Sequence, residues 1–392
     1  MFGSAVTRKA YRMQREAKVS KTVAIIANQA FTLVNFRGPL IAELVRRGHR
    51  VLCFAPDYDA DSRASIRSLN AEPIAYYMSR TGINPLYDLR TTWQLWRLFR
   101  RHRPDVSFAY FVKPVIYGTL AARLAGVSRR YAMIEGMGFT FTSGENEGWP
   151  RLILRWAVSW LLRLSLHFAD RLLLLNSDDC REFIARRLVP KEKAALLGGI
   201  GVDLDDWAYR EPTRAPLTFI FVGRLLRDKG VAEFVDAARL LREQGCDARF
   251  LMLGGIDVNP TAISLTQIEQ WVAEGLIEWP GHVPVQPLLR QASVFVLPSY
   301  YREGVPRSTQ EAMALGLPVI TTDEPGCRET VIDGRNGFLI PARDVATLAR
   351  AMTHFVRRPD LIVPMGLESR RIAEDHFDVH KQNEKLIALI GL

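Results

Sequence analysis

Cysteine is scarce in this chain. Cys53, Cys180, Cys246 and Cys327 are the four among 392 residues, far apart, with no CxxC pair and no His/Cys cluster at metal-ligand spacing. That excludes a disulfide scaffold and a zinc module, and it suggests free thiols in a reducing compartment. The seven histidines (49, 102, 167, 282, 354, 376 and 380) are scattered and form no Ser/His/Asp arrangement. GxxxxGK[ST], GxSxG and HExxH are absent, which argues against a P-loop NTPase, an α/β-hydrolase and a zincin. In GGIGVD (198–203) the third glycine of a dinucleotide fingerprint is replaced by Leu204 and no helix follows directly, so a turn is expected.

Long apolar runs are missing too. WPRLILRWAVSWLLRLSLHFADR (149–171) is rich in Leu and Trp, but Arg151, Arg155, Ser159 and Arg163 interrupt it every fourth residue. On a helix that spacing makes one slowly drifting polar stripe. The uncharged stretch between Arg155 and Arg163 falls far short of the ~20 residues a bilayer span needs. Either a core helix or a helix lying in a membrane interface fits.

No apolar core of signal length opens the chain, so a cytoplasmic protein is expected. Residues 1–21 read instead as a basic extension, with Arg8, Lys9, Arg12, Arg15, Lys18 and Lys21 against Glu16. They hold half of a net charge of +10. A solvated tail, nucleic acid and an anionic membrane surface are the three readings. No nucleic-acid recognition motif is present, which favours the membrane surface at the inner face of the plasma membrane.

What is present is an ordinary globular composition, 48% hydrophobic and 24% charged, long enough for two domains. Short apolar runs alternate with helical patterns: 22–28, 50–56, 105–110, 130–136 and 170–177, then 218–223, 249–255, 293–299, 317–323 and 337–341. Near-continuous apolar strands separated by helices imply α/β architecture, with two Rossmann-like parallel-sheet halves facing a cleft. The expected division is 22–204, a linker at 205–216 and a second domain at 217–375, with 376–392 beyond. Ligands of such sheets bind outside the carboxyl ends of the strands, here in the cleft between the halves.

The strand ends of the second half carry polar equipment. FIFVGRLLRDKG puts Gly223, Arg224 and Lys229 after a strand, a glycine for close backbone approach and two cations able to clamp a diphosphate. YYREGVPRSTQEAMALG follows another strand with Glu303, Gly304, Val305 and Pro306, and then a helix carrying Glu311. Pro306 suits a helix start, Ser308 or Thr309 can cap it, and its N-terminal amides suit an anion. Two carboxylates could accept hydrogen bonds from vicinal hydroxyls, one on a sugar and one on a ribose. Together these point to a nucleotide diphosphate compound. In the first half, NQAFTLVNFRGPLIAEL reads as a loop holding Asn35, Arg37 and Gly38 before Pro39 at a helix start. Lys113 and Tyr117 fall past another strand, and Glu135 precedes a Gly-rich stretch.

FVGRLLRDKG, GHV (281–283), LPSYYREGVPRSTQEAMALGLPVITTDEPGCRETV and GRNGFLIPARD (334–344) resemble the retaining glycosyltransferases of family 4, which have the GT-B fold. FRGPLI, KPVIYG and IEGMGFTFT look like the subgroup that builds bacterial surface polysaccharides on polyprenyl-diphosphate lipids. The resemblance implies that Arg224 and Lys229 bind the donor diphosphate, with Gly223 beside them. Glu303 would bind the donor sugar with the backbone of Gly304, Val305 and Pro306, and Glu311 the ribose hydroxyls. It implies no metal and no cofactor, a lipid-linked saccharide acceptor, and a C-terminal helix (376–392) crossing back to the first domain. The acceptor side falls to Asn35, Arg37, Gly38, Lys113 and Glu135. A nucleotide-sugar epimerase and a non-catalytic nucleotide-sugar-binding protein are the alternatives.

Overall fold

A computed structural model describes residues 20–79, 84–137, 149–257 and 259–392. Residues 1–19 of the basic extension and most of the Gly-rich stretch after Glu135 lie outside the described residues. The chain divides into two compact units, Met1–Met133 with Leu161–Leu172, and Ile134–Trp160 with Leu173–Leu392.

One sheet contains β1 (Thr22–Ile26), β2 (Arg50–Ala55), β3 (Glu72–Ala75), β4 (Val106–Tyr110), β5 (Arg129–Ile134), β6 (Arg171–Leu174) and β7 (Ala194–Leu196), in the order β3-β2-β1-β4-β5-β6-β7. β1 pairs in parallel with β2 and β4, Val23 lying opposite both Val51 and Val106. Val23 to Ile26 are fully buried, the two-sided burial that makes a parallel strand read as unbroken apolar sequence.

Two strands escape the sequence pattern. β3 is EPIA, a short, half-exposed edge strand with a charge and a proline. β7 is three residues long.

The helix after β1 corrects an expectation. It spans Ala30–Arg46, so Asn35, Arg37 and Gly38 are helical and Pro39 lies inside the helix rather than at its start. Ala30, Leu33, Ile41 and Leu44 keep a helical apolar face buried across the proline, and the Ala30 N–H donates to Asp57 Oδ1 at 2.7 Å. Packing of that face outweighs the one backbone donor the proline removes.

The second sheet contains β8 (Thr218–Val222), β9 (Arg249–Leu253), β10 (Val294–Leu297), β11 (Val319–Thr322) and β12 (Gly337–Ile340), ordered β12-β11-β10-β8-β9. β8 pairs in parallel with β9 and β10, and β11 with β10 and β12, with Phe219, Phe221, Phe250 and Phe295 fully buried. The C-terminal helix Val379–Ile390 belongs to this unit, and Lys385 Nζ donates to the Leu197 carbonyl at 2.6 Å.

Candidate active site

The second sheet starts at β8 and extends to β9 on one side and to β10 on the other. The carboxyl ends of β8 and β10 are therefore the topological switch point, where open α/β sheets bind ligands. Gly223 leaves β8 so close to the next strand end that a Cβ on Gly254 would sit 1.9 Å from its carbonyl oxygen. The chain then makes a 3-10 turn, Arg227–Lys229, closed by Gly230 at φ +76°. A Cβ on Gly230 would meet the Pro298 carbonyl at 2.2 Å, so only glycine lets the turn press against the exit of β10. The Asp228 carbonyl accepts from the N–H groups of Tyr300 and Tyr301 at 2.9 and 2.8 Å, which fastens the two strand-end loops together.

That fastening brings Lys229 to Glu303. Lys229 Nζ forms an ion pair with Glu303 Oε1, and Ser299 Oγ donates to the same oxygen at 3.2 Å. Glu303 is 9% exposed, so its charge needs this compensation. The Arg224 guanidinium and Lys229 Nζ lie 5.4 and 5.5 Å from the centre of the Tyr301 ring, and Arg224 also meets Asp257 at 3.2 Å. Two cations, two carboxylates and an aromatic ring thus occupy one strand-end cluster. Beneath it, burial foremost and then the Glu303 charge push the Cys327 thiol up to about 12, leaving it uncharged and unreactive.

The Glu303–Gly304 backbone is clamped as well. The buried Asn176 carboxamide donates to the Glu303 carbonyl at 3.1 Å and the Gly304 carbonyl at 2.8 Å. Arg302 bridges Asp179 at 2.8 Å and Glu182 at 2.6 Å. Gly136 (φ +102°) and Gly304 approach so closely that a Cβ on Gly136 would lie 2.5 Å from the Gly304 N–H nitrogen. Glu135, the residue before it, therefore runs its backbone against this loop.

The helix after the loop begins at Arg307, with Pro306 as its N-cap and no side-chain cap. Ser308 and Thr309 are inside it, and Thr309 is buried, which corrects the expectation that either caps the helix. Glu311 accepts from Arg307 on the same helix at 2.9 Å. Burial raises its pKa, and the Arg307 charge opposes the shift. The GGIG turn also arrives here: the Gly201 N–H donates to buried Gln310 Oε1 at 3.0 Å, and Gln310 Nε2 donates to the Val305 carbonyl at 3.0 Å. Its glycines at 198, 199 and 201 all have positive φ.

Of the residues marked in the sequence, Gly223, Arg224, Lys229, Glu303, Gly304, Val305 and Pro306 gather at this switch point, with Glu311 one turn further along. Glu135 belongs to the same compact unit as this site, whereas Asn35, Arg37, Gly38 and Lys113 belong to the other unit. Arg37 is 1% exposed, stacked 4.8 Å over the Tyr110 ring. Asn35 donates to the Phe31 carbonyl on its own helix, and a Cβ on Gly38 would meet nothing. Lys113 donates to the Ser79 carbonyl at 2.9 Å and lies 3.5 Å from buried Asp88.

Sequence reasoning missed Tyr301, Asn176 and Asp257. An Asn closing the LLLLN strand pattern is a helix-cap signal, and its side chain does accept from the Asp179 N–H at 2.7 Å. Nothing local announces its second task at residues 303–304.

Comparison with known proteins bears on this geometry directly. Residues 216–358 match the family described as glycosyl transferases group 1, and residues 36–198 match the glycosyl transferase 4-like domain. The chain belongs to these glycosyltransferases. It is 25% identical over 346 residues to the N,N'-diacetylbacillosaminyl-diphospho-undecaprenol alpha-1,3-N-acetylgalactosaminyltransferase of Campylobacter jejuni, covering 84% of this chain and 88% of that protein. It is 26% identical over 320 residues to an Escherichia coli UDP-Gal:alpha-D-GlcNAc-diphosphoundecaprenol alpha-1,3-galactosyltransferase, covering 78% and 80%. Among solved structures, a glycosyltransferase from Rickettsia africae aligns with TM-score 0.75 at 15% identity, covering 95% of this chain and 98% of that one. Anabaena Alr3699/HepE in complex with UDP-glucose aligns with TM-score 0.74 at 16% identity, covering 95% and 99%. These likenesses bear on the fold, which is GT-B. Both curated relatives are transferases by name, so the epimerase and the non-catalytic binder fall away in favour of a glycosyltransferase.

Proposed function

We propose that this glycosyltransferase moves a hexosyl or N-acetylhexosaminyl unit from a UDP-sugar to a saccharide carried on a polyprenyl diphosphate lipid, in surface-polysaccharide assembly. The observation that carries it is the Arg224, Lys229 and Glu303 cluster at the switch point of the second sheet. The UDP choice draws on a relative named for UDP-Gal and on a solved neighbour held in complex with UDP-glucose, and the acceptor on relatives named for diphosphoundecaprenol.

Arg224 and Lys229 hold the donor diphosphate and stabilise the charge that grows on it, so the reaction needs no metal. Glu303 and the backbone from Gly304 to Pro306 hold the donor sugar, and Glu311 holds the ribose. The anomeric carbon–oxygen bond to the diphosphate breaks as the acceptor hydroxyl oxygen bonds the same face of that carbon. The acceptor proton passes to the departing phosphate oxygen, and configuration is retained.

The enzyme works at the inner face of the plasma membrane. No helix among the described residues is long and apolar enough to cross a membrane. The helix Trp149–Phe168 instead exposes Trp149, Leu152, Ile153, Trp156 and Trp160, spaced along one face. Its second half buries Val158, Leu162 and Leu166. An exposed Trp/Leu face beside arginines suits an interfacial helix.

The test is transfer of label from a panel of nucleotide sugars into the organic phase of a membrane-lipid extract. We expect transfer from a UDP-sugar, unaffected by EDTA. Glu303→Gln lowers kcat by about 100-fold or more with a smaller change in donor KM. Glu311→Ala mainly raises donor KM. Wild-type turnover in Glu303→Gln would overturn the assignment of Glu303.

A further inference from the structure

The helix Pro85–His102 has two unlike faces. Asp88, Thr91, Leu95 and Phe99 are buried along one of them. Along the other, Leu86, Arg90, Trp93, Arg97 and Arg101 recur at intervals of three or four residues, and all five are exposed. The exposed hydrophobics are large: Leu86 is 78% exposed and Leu89 69%, with Trp93 and Tyr87 about half exposed. A soluble surface helix has no use for such a row unless something apolar covers it.

Between these side chains and Tyr77 lies an open cavity of about 410 Å³, lined by Arg90, Trp93, Arg97 and Arg101. Its floor is organised. The Tyr77 N–H donates to Gln94 Oε1 at 2.8 Å, which fixes the segment after β3 against the helix. The Arg90 guanidinium stacks 5.1 Å from the Tyr77 ring centre, and that of Arg97 stacks 4.8 Å from the ring of Trp93. Stacking orients a guanidinium by its face and leaves its N–H edge for an oxyanion. Among the described residues none of the three arginines meets a carboxylate. Three cations with a shared opening, rimmed by Leu and Trp, are complementary to an anion that carries hydrocarbon beside it.

We propose that this cavity binds the phosphate headgroup of an anionic phospholipid at a bilayer surface, with Leu86, Leu89 and Trp93 entering the adjoining acyl region. The arginines supply electrostatic attraction and the aliphatic and indole groups supply burial, the pairing that holds peripheral proteins to anionic lipid. The site deepens the reading of an enzyme that meets its acceptor at a membrane, and it is separate in the sequence from the Trp149–Phe168 helix.

The experiment measures co-sedimentation of the full chain with phosphatidylglycerol vesicles, with neutral phosphatidylcholine vesicles, and with phosphatidylglycerol vesicles plus excess inorganic phosphate. The wild type binds phosphatidylglycerol vesicles far better than neutral ones, and inorganic phosphate competes only weakly because it lacks the apolar half of the ligand. Arg90→Gln/Arg97→Gln/Arg101→Gln lowers affinity at least about tenfold, because each basic residue is attracted to an anionic surface. Arg67→Gln/Arg187→Gln/Arg357→Gln removes the same charge from exposed sites elsewhere and lowers it less than about threefold. Equal losses in the two triple variants would reduce the effect to net charge and overturn the site. So would wild-type binding that is equal on neutral and anionic vesicles, or fully displaced by inorganic phosphate. Transfer to a water-soluble acceptor analogue separates the two proposals. Its absence in the wild type would count against the transferase reading, whereas its persistence in the cavity variant with lost vesicle binding supports both.

Discussion

At the scale of single residues, the Asn176 carboxamide donates to two consecutive carbonyls, those of Glu303 and Gly304, and to Asp179 Oδ2 at 2.9 Å. Its own oxygen caps the helix Ser177–Ala185 through the Asp179 N–H. Asn176→Ala removes the cap and strands buried carbonyls, at a cost of about 2–4 kcal/mol. Asn176→Asp separates the two tasks. Aspartate caps helices as well as asparagine does, yet it cannot donate and sets a second carboxylate beside Asp179. Burial already raises the pKa of Asp179, so that carboxylate tolerates another poorly. We expect Asn176→Asp to lose at least about 2 kcal/mol in urea unfolding and to lower turnover through Glu303. A variant within about 0.5 kcal/mol of wild type would mean that the cap alone matters.

At the scale of elements, the helix Ala30–Arg46 offers a pH signature. Glu43 pairs with Arg46 at 2.7 Å and Arg47 at 2.6 Å, and the Arg46 hydrogen bond chiefly lowers its pKa from 4.5 to about 2. A depressed carboxylate contributes stability above its ordinary pKa and loses it as pH falls through the folded value. Arg46 is 72% exposed, so screening holds the gain to about 1 kcal/mol or less. Glu43→Gln should therefore lower stability by about that much at pH 7, and the difference should fade between pH 4.5 and about 2. A difference that persists at pH 2 would assign it to packing.

This same helix shows where sequence legibility ends. The parallel sheets were readable because Val23–Ile26 and Phe219–Val222 are buried on both faces, and burial writes itself as apolar runs. The helix start at Ala30 was not, because Pro39 and Gly38 are local stop signals that tertiary packing overrode. Likewise Gly223, Arg224, Lys229 and Glu303 could be marked because each follows a strand end. Asn176 could not, since its contact with Gly304 spans 128 positions and leaves no periodic trace. Contacts of that separation are set by topology, which single-sequence periodicity does not encode.

At the scale of the whole molecule, the elements proposed to bind the donor all fall within one compact unit, Ile134–Trp160 with Leu173–Leu392. A ligand that binds only the folded form of a unit stabilises it by about 2.7 kcal/mol at a hundredfold excess over its Kd. Amides whose exchange requires opening of the donor site then slow by about 100-fold, while amides that open independently do not change. Adding UDP under these conditions should protect Gly223–Gly230 and Ser299–Glu311, together with the ends of β8 and β10. The helices Ala30–Arg46 and Pro85–His102 carry no donor contact in this reading, and their exchange should move less than about twofold. The wild type and Lys229→Ala provide the comparison by hydrogen exchange and mass spectrometry. Lys229→Ala loses the ion pair to Glu303, so UDP protection of both loops should fall together. Protection centred on residues 30–46, or loops that respond independently, would mean that Lys229 and Glu303 do not belong to one donor site.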